Sequence, residues 1–130
     1  MPDWSIKIVP STSGTGAAFQ PDLQGYKPGD PLPAQQDDLV TWANMTNHAH
    51  QPSMTDSNYK PISPDPARGT ANYMSDPIPP NRSSRPSWDV IGPPASDPNA
   101  QTWTIYYFCK LHPTVASERG TIQASAVPTS

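Results

Sequence analysis

The run from Gln101 to Cys109 sets Trp103, Ile105 and Tyr107 on one side of an extended chain and Tyr106 and Phe108 on the other. Side chains in a strand alternate between faces, so this segment becomes apolar on both. Such a strand is stable only where both faces are covered, which places it in the middle of a sandwich or barrel. The rest of the chain has to supply the covering layers.

Trp4-Ser-Ile-Lys-Ile-Val9 alternates apolar and polar residues before Pro10 and predicts a half-buried first strand. After the small-residue loop Ser11 to Ala18, Phe19-Gln-Pro21 resumes extended structure with Phe19 directed inward. Pro28, Gly29, Asp30, Pro31 and Pro33 then mark turns rather than a continuous element. Asp38 to Ala43 predicts a strand with Leu39 or Val40 and Trp42 in the core, and Thr121 to Val127 alternates again as the last strand. No segment carries a helical period. Short strands with turn punctuation predict an all-β Greek-key sandwich or barrel, and 130 residues suit one domain spanning 1–130.

Eleven of the nineteen prolines lie between Pro52 and Pro98. Proline removes a ladder donor and fixes φ, which disfavours a central strand through most of this stretch. Residues 52–100 therefore read as a long Pro-rich loop insertion, anchored on the core by Tyr59, Tyr73 and Trp88. Long loops of this kind often serve as functional covers.

A formal net charge of −3 provides no basic patch for a phosphate backbone, so nucleic acid is not an expected partner. Met1-Pro2-Asp3-Trp4 shows neither a basic nor an apolar leader, and no apolar run reaches membrane-spanning length. Membrane association is expected only if an anchor or signal has been removed.

The rarest side chains cluster. All three histidines and the single cysteine fall in two short segments, His48-Ala-His50-Gln-Pro52 and Cys109-Lys-Leu-His112-Pro113. One cysteine forms no internal disulfide, and taken alone at a strand end it reads as a small buried hydrophobe. Three residues from His112, and matched by the His50 segment, it reads as a metal ligand. A thiolate with two imidazoles suits copper in a His2Cys site, and zinc binds such sets too. A cysteine hydrolase is disfavoured, because the strand-to-loop spacing suits chelation and no oxyanion-hole motif accompanies it.

Asp38-Leu-Val-Thr-Trp42-Ala-Asn44 followed by His50, with Tyr107-Phe-Cys109-Lys-Leu-His112-Pro113 and the returning Gly120-Thr-Ile122, resembles the cupredoxin family of small blue copper proteins. The resemblance covers the strand before the first histidine, the late cysteine–histidine loop and the last strand. It implies one copper ion per chain held by His50, Cys109 and His112, and an electron-transfer role with a transient redox partner protein. It also implies a periplasmic or otherwise extracytoplasmic location.

The sequence departs from the family pattern at the axial position. The family's methionine would fall at Val115 or Ser117, and the other methionines, Met45, Met54 and Met74, lie elsewhere. Glu118, His48, Ser117 and Gln51 are the candidates for that position or for the groups behind the ligands, unless the position stays open. The family's Asn after the first histidine and Ser or Thr after the cysteine are replaced by Gln51 and Lys110. A different tie between the ligand segments is expected, through Gln51 to backbone near Cys109 or through Asn44. An open position would suit a copper protein that binds or transforms a small ligand, or that stores or carries copper.

Overall fold

The computed structural model describes residues 3–11, 16–60, 74–84, 87–94, 96–112 and 114–126. Eight strands are found there: β1 Asp3–Pro10, β2 Ala17–Pro21, β3 Leu32–Gln35, β4 Leu39–Asn44, β5 Pro52–Thr55, β6 Trp88–Asp89, β7 Thr102–Cys109 and β8 Arg119–Ser125. No helix occurs among the described residues. The strands form two four-stranded sheets, in the orders β2-β1-β4-β6 and β3-β8-β7-β5. The chain changes sheet between β2 and β3 and at every step from there to β7.

The predicted central strand is central. β7 pairs antiparallel with β5 on one side and β8 on the other. Its inward face contributes Trp103, Ile105 and Tyr107, and near its end Phe108 is buried as well. Across the sandwich, Phe19 and Trp42 pack edge-on against the Tyr107 ring at centroid distances of 4.8 and 5.6 Å. Val40 and Trp42 are fully buried, as the β4 pattern predicts, and so is Phe19 of β2. The end of the predicted last strand, Val127, lies outside the described residues.

Two segments differ from their sequence reading. Pro33 does not mark only a turn but lies inside β3, which pairs in parallel with β8 alone. At a sheet edge a missing N–H costs no ladder bond, and the exposed Pro33 alternates with buried Leu32 and Ala34. Within residues 52–100, Pro52–Thr55 is an edge strand on β7, and Trp88–Asp89 pairs with β4. Tyr59 packs edge-on against Tyr106 with ring centroids 5.6 Å apart, and Trp88 against Trp42 at 6.3 Å. The other predicted anchor, Tyr73, lies outside the described residues. Aliphatic side chains add to the hold, because Met74, Ile78, Val90 and Ile91 are all buried in the core.

Gly120 sits directly opposite Tyr107 in the β7–β8 register. A Cβ there would lie 2.4 Å from Tyr107 Cζ, and the ring cannot retreat because Phe19 and Trp42 back it. Gly120→Ala should therefore destabilise the protein by about 1–3 kcal/mol, the usual cost of overpacking. A urea midpoint lowered at unchanged slope is the expected result.

Candidate metal centre

The end of β7 delivers Cys109, and its two neighbouring strands deliver the groups around it. On one side Cys109 Sγ accepts the Gln51 N–H at 3.4 Å, while Lys110 N–H donates to the Gln51 carbonyl at 2.8 Å. These bonds continue the β5–β7 pairing, whose last rung is Pro52 opposite Cys109. They fix the backbone next to His50, which Ile78 also holds through N–H and carbonyl bonds of 3.2 and 2.7 Å. On the other side, the rung Phe108 opposite Arg119 is followed by Cys109 N–H donating to the Glu118 carbonyl at 3.1 Å. Residues facing each other across an antiparallel pair share a face, so Glu118 points to the same interior as Cys109. His112 is placed by a turn in which its N–H donates to the Cys109 carbonyl at 3.1 Å.

Four potential ligand atoms thus converge, one each from His50, Cys109, His112 and Glu118, all within 4.8 Å of one another. Cys109 Sγ lies 3.5 Å from His50 Nδ1 and 3.4 Å from His112 Nδ1. Glu118 Oε1 lies 3.3 Å from His50 Nδ1 and 3.0 Å from His112 Nδ1. Both imidazoles present Nδ1, and their rings stand 5.2 Å apart. His50, Cys109 and Glu118 are buried, whereas the His112 side chain is 36% exposed.

A buried polar chain aims the His50 ring. Its Nε2 lies 2.9 Å from Thr46 Oγ1, which is 2.7 Å from Asn44 Oδ1. With Nδ1 left free to coordinate, Nε2–H donates to the Thr46 hydroxyl and that hydroxyl donates to Asn44. Asn44 is held in turn by donating to the carbonyls of His48 and Ile78 at 2.7 and 2.9 Å. Such partners fix the tautomer and orientation of a ligating histidine.

Burial alone would lower the His50 pKa. Hydrogen bonding and charge from Cys109 and Glu118 outweigh it and raise the value from 6.5 to about 9. Burial likewise pushes the Glu118 carboxyl up, but the bonds from His50 and the Ala17 N–H, with the charge of both histidines, hold it below the usual range. The metal-free cluster therefore favours a protonated His50 beside an ionised Glu118.

The three residues expected as ligands are brought together. Of the further candidates only Glu118 joins them. Nothing in its immediate sequence distinguishes it from a solvated loop carboxylate; the available clue was register, since pairing Tyr107 with Gly120 puts Cys109 opposite Glu118. The His48 side chain is exposed, and Ser117 is partly buried over Gly16. Gln51 turns its side chain away, donating to the Ser75 carbonyl at 3.1 Å. The tie between ligand segments is therefore made, as expected, by Gln51 to backbone near Cys109, its own carbonyl accepting the Lys110 N–H, and not by Asn44. Of the methionines expected to lie elsewhere, Met45 is exposed while Met54 and Met74 pack in the core. A cavity of about 370 Å³ adjoins the cluster, lined in part by Thr46, Asn47, His48 and Val115.

No protein-family model matches the chain, and a search of curated proteins finds no match. Among solved structures, a novel purple cupredoxin from Nitrosopumilus maritimus is similar with a TM-score of 0.56 and 20% identity, covering 93% of this chain and 98% of that one. The McoA multicopper oxidase from the hyperthermophile Aquifex aeolicus gives a TM-score of 0.53 at 10% identity, covering 96% of this chain and 27% of that one.

The charge pair makes the metal-free protein pH-dependent. The folded pKa of His50 lies above its unfolded value, so its contribution is complete below about 6.5 and is lost as pH rises through about 9. Glu118 is shifted the other way, and its contribution is present above its unfolded pKa of about 4.5 and lost as pH falls through its lower folded value. The Tm of the metal-free protein should fall between pH 6.5 and 9. Glu118→Gln should flatten that decline.

Proposed function

We propose that this chain, whose fold is that of the cupredoxins, is an electron carrier holding one copper ion through His50, Cys109 and His112, with Glu118 as a fourth donor. The observation that carries this reading is the convergence of those four ligand atoms within 4.8 Å at the end of a doubly paired strand. A soft thiolate beside two imidazoles is a donor set suited to copper.

Bound copper would supply a one-electron couple. The protein's part is to hold the donors still, which the backbone bonds on both sides of Cys109 do. Burial of His50, Cys109 and Glu118 keeps water from competing for the donors. Glu118 in place of a thioether is a harder donor that favours the more oxidised metal, so it lowers the potential relative to a methionine-containing site. The half-exposed His112 ring edge offers the exit for an electron. Exposed Leu111 and Met45 supply apolar surface for a transient redox partner. A thiolate site of this kind suits a periplasmic or other extracytoplasmic compartment better than a reducing cytosol.

The cavity beside the cluster favours a second reading, in which a small ligand reaches the metal. Visible and electron paramagnetic resonance spectra of the copper-loaded protein, with and without azide, separate the two. A closed carrier gives intense thiolate-to-copper absorption that azide leaves unchanged; a large change favours the open site. Cys109→Ala should abolish the visible band under either reading, and a full band in that variant would refute copper–thiolate ligation.

A further inference from the structure

Glu118 has two carboxylate oxygens with different partners. Oε1 faces His50 and His112, whereas Oε2 accepts the Ala17 N–H at 3.0 Å. Ala17 belongs to β2, the edge strand of the opposite sheet, so the bond crosses the sandwich. A glutamate side chain left to itself has several rotamers, and the adjoining cavity gives it room to leave. Fixing one oxygen stops the carboxyl from turning and leaves the other directed at the cluster.

The neighbouring residue has to be glycine for two separate reasons. Gly16 has φ +71°, which L side chains rarely adopt. A Cβ there would also lie 2.8 Å from Glu118 Oε2 and 2.5 Å from Val115 Cγ1. The Gly16 carbonyl accepts the Ser11 N–H at 3.1 Å, which orients the peptide that presents the Ala17 N–H.

We propose that Gly16 and the Ala17 N–H are positioning residues that lock Glu118 into the metal centre as its fourth donor. The identity of the metal rests on the copper reading above, but the lock itself is present in the metal-free chain. Its consequence is that the fourth donor is held from outside the loop that carries the cysteine and the second histidine. Changing Gly16, which leads into β2 of the opposite sheet, therefore alters the metal's electronic properties without replacing a ligand.

The test compares Gly16→Ala with Gly25→Ala, a control whose glycine also has positive φ, +85°, but whose Cβ would meet nothing within 4 Å. Loaded with copper, Gly16→Ala should show an altered thiolate-to-copper band and an upward shift in reduction potential, while Gly25→Ala matches the unmodified protein. A folded Gly16→Ala with the unmodified spectrum and potential overturns the proposal. If Gly16→Ala does not fold, amide hydrogen exchange at Ala17 in the metal-free chain decides. Slow exchange that becomes fast in Glu118→Ala supports the lock, and equal rates overturn it. Failure of the unmodified protein to bind copper would refute the copper reading alone, because the exchange experiment needs no metal.

Discussion

The backbone hydrogen bonds on either side of Cys109 are what the rest of the site depends on. They are the last rungs of two ladders, one to the segment carrying His50 and one to Glu118. Side chains alternate along a strand, so a shift of β8 against β7 by one residue would turn Glu118 outward and bring Arg119 into its place. The native register is held from both faces. Inside, Gly120 makes room for the Tyr107 ring; outside, Arg119 lies 5.0 Å over the ring of Tyr59. Packing far from the donor atoms therefore sets which donors meet.

Burying a carboxylate, a thiol and one imidazole beside a second, partly exposed one requires compensation, because an unpaired charge is costly away from water. In the metal-free protein the raised His50 pKa and the lowered Glu118 pKa provide it, as a proton held between opposite charges. A metal cation would take over that role and displace the proton, which couples binding to pH. The Asn44–Thr46–His50 chain and the Ala17 N–H act on the same site from different directions. One aims an imidazole and the other a carboxylate.

Much of this was legible in the residues. The doubly apolar run ending at Cys109 reveals a central strand, and its spacing to His112 marks a pair whose Sγ and Nδ1 come within 3.4 Å; Val40, Trp42 and Phe19 follow from alternation. β3 was obscured because proline normally signals a turn, and only its place at a sheet edge makes Pro33 harmless. Glu118 was harder to recognise because its role comes from cross-strand register and from Ala17, about a hundred residues away in the chain. Of the two expected ties between ligand segments, the one from Gln51 to backbone near Cys109 forms, through backbone atoms of Gln51 itself, while Asn44 braces the His48 and Ile78 carbonyls instead.

The central claim is that Cys109, His50, His112 and Glu118 hold one copper ion together. Copper-edge X-ray absorption of the loaded protein tests it most directly, because it separates sulfur from the lighter nitrogen and oxygen neighbours, counts each set and recognises imidazole rings by their outer-shell scattering. One sulfur, two imidazole nitrogens and an oxygen that disappears in Glu118→Ala is the predicted result. A copper environment without sulfur, or one with a second sulfur in place of that oxygen, would contradict it.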